Sequence, residues 1–201
     1  MSGPQLFFAV DYGAAHSALD IGSPFTWQLW RPSAIQVRPP QTALLPFGVW
    51  WAFHSVGLFG NRDYCIFCAF DRERLVHRSC IFPGYFRFPF MERADLQVGD
   101  TWTDDDYRGQ GLATFALRRI VVDLAIPERR FWYIVAASNE SSIRVAQKAG
   151  FRLVGRGTRT RRLGLRLLGA FQLDSEAKAR GTSTHLNYGG PNVEANIRCF
   201  D

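Results

Sequence analysis

The sequence predicts a mixed α/β (α+β) domain, a central sheet with helices laid against it, and three observations carry that expectation. Apolar runs of strand length fall at 64–70, 75–82, 96–103 and 131–137. Between the last two runs, Leu117, Ile120, Val121 and Leu124 stand at i, i+3, i+4 and i+7, with Arg118, Arg119 and Asp123 on the opposite face. A second, shorter helical segment follows 131–137, and further apolar segments come after it. The order strands, helix, strand, helix, strands is that of a mixed sheet.

Taken in order, residues up to about Arg62 are irregular in pattern, with Pro24, Pro32 and the Pro39–Pro40 pair acting as breakers. The short apolar run 6–10 has no basic stretch before it and makes a poor secretory signal. The most hydrophobic stretch, 44–60, contains Pro46, His54 and Ser55 and is short for a bilayer. It reads as a buried helix beginning near Phe47, and no transmembrane segment is expected. The runs 64–70 and 75–82 flank the charged turn Asp71-Arg72-Glu73-Arg74 and form a hairpin. Residues 96–103 alternate loosely as a third strand, 104–111 form a loop, and Pro127 ends the helix that follows. The unbroken apolar run 131–137 fits a central strand covered on both faces. Asn139 is a natural N-cap for the second helix and Gly150 a natural stop. Residues 151–155 and 165–173 close the sheet. Beyond Asp174 the chain turns polar and Gly-rich, so 1–174 is expected to form one domain and 175–201 a surface tail.

Composition narrows the function less than the pattern does. An apolar share of 47%, with 17 Phe and 6 Trp, excludes general disorder. Lys and Arg number 24 against 18 acids, a net charge of +6. That excess attracts nucleic acid, an anionic membrane or a phosphate-rich cofactor without choosing among them. Cys65 and Cys68 form one C-x-x-C, but no second pair or His pair completes a zinc site, so no metal is expected. Reduced thiols and a cytoplasmic location are the default.

The segment Arg108-Gly109-Gln110-Gly111-Leu112-Ala113, between a strand and a helix, carries the chemistry. Amides at a helix N-terminus lack internal partners, and the macrodipole adds partial positive charge there. Glycines at 109 and 111 let a diphosphate approach the backbone, and Arg108 adds a forked cation. Other phosphate loops fit less well. A Walker loop needs Gly-Lys-Ser/Thr, and a dinucleotide fingerprint needs a glycine where Thr114 stands.

These residues resemble a family. Arg-x-x-Gly-x-Ala after a strand is similar to the cofactor-loop motif of the GNAT acyltransferases. The run Asn139-Glu140-Ser141-Ser142, followed by Lys148-Ala149-Gly150-Phe151, resembles that family's second motif. The second motif is closest in form to the ribosomal-protein N-terminal acetyltransferases. The resemblance covers roughly 96–155 and implies a cofactor-binding core at about 94–155. It further implies a mostly antiparallel sheet with a V-shaped split between two parallel strands, 96–103 and 131–137. The donor would be acetyl-CoA, its pantetheine arm pairing near Thr101 and Thr103 and its pyrophosphate lying on the amides of Gly109, Gly111, Leu112 and Ala113. Asn139 would hold the arm.

The implied reaction is direct attack of a neutral amine on the thioester. Many family members place a tyrosine on the second helix as acid for the thiolate, and this chain has Ala146 there. Ser142 is the candidate in its place, as thiolate partner or as part of helix capping. For the base, Asp100, Asp95, His77 and water stand open. Asp100 points opposite to Thr101 and Thr103 by strand alternation. The aromatic segment 85–91 suits either a sugar ring or core packing.

A fainter resemblance to acetyltransferases of surface-polysaccharide synthesis implies an amino-sugar nucleotide acceptor, with a peptide or protein N-terminal amine as the alternative. From another class, Arg156, Arg159, Arg161, Arg162 and Arg166 could serve an RNA- or anionic-lipid-binding module. The enzyme reading calls for a small-molecule amine and no nucleic acid, and leaves a homodimer open.

Overall fold

The computed structural model describes residues 3–11, 24–160 and 169–174. The tail 175–201 and Arg161, Arg162 and Arg166 lie outside the described residues. In chain order the elements are strands Gln5–Asp11 (β1) and Thr26–Trp30 (β2), helix Leu44–Ser55 (α1), and strands Cys65–Asp71 (β3), Arg74–Pro83 (β4) and Leu96–Thr103 (β5). Helix Leu112–Asp123 (α2), strand Arg130–Ala136 (β6), helix Glu140–Lys148 (α3) and strands Arg152–Arg159 (β7) and Phe171–Leu173 (β8) follow. One eight-stranded sheet runs in the order β2-β3-β4-β5-β6-β1-β7-β8.

Among the described residues β5 and β6 are the one parallel neighbouring pair, and α2 makes the crossover that parallel neighbours require. Their pairing stops after three residues, Leu96↔Phe131, Gln97↔Trp132 and Val98↔Tyr133. Beyond Val98 and Tyr133 the strands part, and β6 continues against β1 on its other side. The sheet therefore forks at Tyr133, as the resemblance implies.

The two faces of the sheet have separate cores. On one, α2 and α3 cover Phe8, Phe67, Val98, Phe131 and Tyr133, with Leu117 and Ile120 buried completely. On the other, α1 lies over Tyr64, Ile66, Cys68, Cys80 and Phe82. Cys65 and Cys68 belong to different faces, because residues three apart on a strand point in opposite directions. They cannot chelate one ion, and burial pushes both thiols up to about 12.

The irregular reading of the first 62 residues is corrected by the structure. Residues 5–11 form a central strand between β6 and β7, and Phe7 and Phe8 are fully buried. The apolar run 6–10 carried that strand, but its partners lie more than a hundred positions downstream, where local periodicity cannot point. Helix α1 begins at Leu44 rather than near Phe47, and only Phe47 of its residues is buried. It lies on the sheet by one side, leaving Leu45 81% exposed. The strand read at 151–155 runs on to Arg159. Of the closing strand read at 165–173, Phe171–Leu173 is observed and 161–168 lie outside the described residues.

Candidate active site

Strand β5 changes parity halfway. Leu96 and Val98 face α2, and so do Thr101 and Thr103, three and five residues beyond Val98. A bulge absorbs the extra residue. The register against β4 slips between Arg78 and Cys80, and Asp100 takes a left-handed φ of 45°. The bulge thus brings two threonines onto the α2 side at the level where β5 and β6 separate. Asp100 is sent to the other face, where it accepts a hydrogen bond from Arg78 at 2.7 Å and a weak one from the Cys80 thiol at 3.7 Å.

A cleft of about 670 Å³ opens from this fork. Thr101, Thr103 and Tyr133 line its floor, the loop Tyr107–Ala113 one wall, and Asn139, Ser142 and Lys148 the other. Nine of the ten expected cofactor residues line it: Thr101, Thr103, Arg108, Gly109, Gly111, Leu112, Ala113, Asn139 and Ser142. Gln110 does not, and its amide reaches back to the Asp106 carbonyl at 3.4 Å.

Gly109 and Gly111 both adopt left-handed conformations, with φ of 81° and 82°. A Cβ built on either would meet no protein atom within 4 Å. The backbone conformation calls for glycine, and the space beside it is open. Gly111 is also the N-cap of α2 and offers no side chain to its first-turn amides. With no carbonyl one turn upstream, those amides are free for an anion.

Acids flank this cradle, yet each has a cation. Arg74 bridges Asp104 and Asp106 at 2.9 and 3.0 Å, and Arg108 pairs with Asp105 at 2.7 Å. The Tyr107 hydroxyl donates to Asp71 at 2.7 Å, tying the loop to the β3–β4 hairpin. Arg74→Ala should leave Asp104 and Asp106 repelling an incoming diphosphate. Affinity for acetyl-CoA should fall about two- to fivefold by calorimetry, the scale of an exposed pair, and by less in high salt.

On the opposite wall, Asn139 Oδ1 accepts from the Ser142 amide at 3.1 Å and the Ser141 hydroxyl at 2.9 Å. Asn139 is therefore the cap, and the Ser142 hydroxyl is left for the cleft. Sequence reasoning missed Tyr133, which sits within a run read only as apolar. It lines the cleft beside Ser142 and Thr101, and burial pushes its phenol up against the downward pull of those two hydroxyls.

The remaining candidates lie outside the cleft. His77 is wholly buried, with Nδ1 2.8 Å from Thr103 Oγ1 and Nε2 3.1 Å from Ser79 Oγ. Burial and then the nearby Arg78 charge push its pKa down to about 3, so it is neutral and a weak base at physiological pH. Asp95 is structural. Its carboxylate accepts from the amides of Glu92 and Arg130 and from the Trp132 indole at 2.9 Å. The aromatic segment 85–91 mostly packs inward, with Tyr85 and Phe88 buried and Phe86 44% exposed. No cluster of metal-ligating side chains occurs among the described residues, and no helix among them is long and apolar enough to cross a membrane.

A mixed sheet forked between two parallel strands, with a glycine-built helix entrance beside the fork, is the GNAT-like fold that the resemblance implies. The chain belongs to the acetyltransferase (GNAT) family, whose model matches residues 25–151. No curated protein matches the chain. Among solved structures, a GNAT-family acetyltransferase from Colwellia psychrerythraea aligns with a TM-score of 0.50 at 15% identity, over 75% of this chain and 53% of that one. A GCN5-related N-acetyltransferase from Sphaerobacter thermophilus gives 0.50 at 16%, over 76% and 49%. A GNAT-family protein from Novosphingobium aromaticivorans gives 0.48 at 21%, over 75% and 60%. At these identities the likeness is one of fold, and the chain spans roughly half to three-fifths of those proteins' lengths.

Proposed function

We propose that this chain is an acyl-CoA-dependent N-acetyltransferase that moves an acetyl group from acetyl-CoA to a primary amine by direct attack. The observation that carries the reading is the pair of left-handed glycines at the head of α2, with open space beside them and the fork of β5 and β6 behind. The first-turn amides and Arg108 suit a diphosphate, and the unpaired edges of the fork suit the amide groups of a pantetheine arm. An amine would then meet the thioester near Tyr133. Asp100, paired with Arg78 on the other sheet face, offers a carboxylate to an ammonium approaching from that side.

The acceptor we place first is an amino-sugar nucleotide, ahead of a peptide N-terminal amine. It rests on the fainter sequence resemblance to acetyltransferases of surface-polysaccharide synthesis, because the aromatic segment 85–91 is largely spent on the core. The test is native mass spectrometry of the purified chain for retained CoA species, calorimetry with acetyl-CoA, and a panel of amino-sugar nucleotides and peptides scored by thiol release. Absence of CoA binding, together with salt-sensitive binding of RNA or anionic vesicles, would replace the enzyme with a basic binding module.

Ser142→Ala separates chemistry from capping. Because Asn139 caps α3, loss of the Ser142 hydroxyl should change the melting temperature little. If that hydroxyl supports the developing thiolate, turnover should fall about tenfold at unchanged acetyl-CoA affinity. A variant that melts early but turns over normally would make Ser142 structural.

A further inference from the structure

The reaction has to protonate or solvate a thiolate at the vertex of the fork, and the position where a helix-borne phenol would stand holds Ala146, which is wholly buried. Two phenols line the cleft. Tyr107 is at the diphosphate end, committed to Asp71. Tyr133 is the last β6 residue paired with β5, so its backbone marks the vertex itself. Its side chain turns to the α2–α3 face, where it lines the cleft together with Thr101 from the floor and Ser142 from α3. Any thioester threaded through the fork passes this phenol.

We propose that Tyr133 is the proton donor to the leaving thiolate, supplied from behind by a chain of hydroxyls through a buried histidine. This assignment rests on the acetyl-transfer reading and specifies its acid. Hydrogen bonds join Thr101, beside Tyr133 in the cleft lining, to Thr103. Thr101 Oγ1 lies 3.2 Å from Ser79 Oγ, Ser79 Oγ is 3.1 Å from His77 Nε2, and His77 Nδ1 is 2.8 Å from Thr103 Oγ1, back at the cleft. A neutral imidazole has one N–H and one lone pair, so each member can donate toward Tyr133 in a single direction. Held neutral by burial, His77 can relay a proton by exchanging tautomers without a net charge forming in the core.

The bookkeeping closes within the reaction. The amine nitrogen forms the C–N bond, the C–S bond breaks, and the sulfur takes the Tyr133 proton. The proton shed by the nitrogen as it becomes an amide returns, through solvent in the cleft, Thr103, His77, Ser79 and Thr101, to the phenolate. Even raised by burial, a phenol is a closer match to a thiol near 8.5 than a serine hydroxyl is. Ser142 then orients Tyr133 rather than acting as the acid.

The probe is CoA itself bound to the full chain, with its thiol titrated by thiolate ultraviolet absorbance. A phenol donating to the sulfur favours the thiolate, so bound CoA should ionise about tenfold more readily on the wild type than on Tyr133→Phe. Calorimetry should show acetyl-CoA affinity within about twofold in both. Ring-fluorinated tyrosine at 133 keeps the shape of the side chain and sharpens the donor, and it should shift the titration the opposite way from Phe. With an acceptor in hand, Tyr133→Phe should lower kcat about a hundredfold with little change in KM for acetyl-CoA. Titrations that coincide in wild type and both variants, with CoA bound, would overturn the assignment of Tyr133 and leave acetyl transfer standing. A wild-type chain that binds no CoA would overturn both.

Discussion

Gly111→Val should weaken acetyl-CoA binding by about a hundredfold, roughly 3 kcal/mol, in a protein that still folds. The expectation rests on two separate properties of one residue. Its φ of 82° is a conformation that a β-branched residue almost never adopts, at a cost of about 1–3 kcal/mol if the loop keeps its shape. The new side chain would also stand in the empty space beside the first turn of α2, where a Cβ meets no protein atom. A loop that relaxes to relieve φ moves the amides, and a loop that holds presents an isopropyl group to the phosphates. Both outcomes remove the site, and neither pushes into the core. Calorimetry returning wild-type affinity from a variant with a normal melt would dismiss the diphosphate cradle.

Gly157→Ala acts on stability instead, lowering it by about 2–3 kcal/mol, or roughly 5–10 °C in melting temperature. A Cβ at 157 would fall on the Gln172 carbonyl oxygen and 2.7 Å from the Phe7 ring. The carbonyl belongs to β8, which pairs with β7 at Gly157↔Leu173 and Thr158↔Gln172. The Phe7 ring is wedged edge-on against Phe90 and Phe171. Neither obstacle is the free end of a flexible side chain, so β8 would peel away or Phe7 would leave its slot. A melt within a degree of wild type would mean that the β7–β8 closure contributes nothing to the fold.

What the sequence disclosed and what it withheld divide along local and non-local lines. Strand β5 and the two helices after it were legible because their signals are short-ranged: an apolar period, a capping Asn139, and glycines at a helix entrance. The cleft walls followed from the family resemblance that two motifs carry. The place of β1 was not legible, since the run 6–10 gives no hint that it belongs between strands some 120 and 150 positions later. Nor was the bulge at Asp100. Simple alternation puts Asp100 opposite Thr101 and Thr103, as found, yet it also predicts that Val98 and Thr101 diverge, and they do not. Tyr133 stayed hidden because an unbroken apolar run does not say which face each residue takes, and a phenol in such a run reads as core until its neighbours are known.

The place of β1 bears on how the chain is made. Asp11 and Arg130, facing each other across β1 and β6, lie 119 positions apart, so residues 5–11 leave the ribosome long before their partners exist. Until then the strand Leu6–Val10 has to stay unpaired, an apolar segment in search of an edge. In the folded sheet β1 satisfies one backbone edge of β6 and one of β7, edges that would otherwise stand open. The centre of this sheet therefore cannot close until β1 meets strands made more than a hundred residues after it, and over that interval the apolar segment is open to pairing with a wrong neighbour.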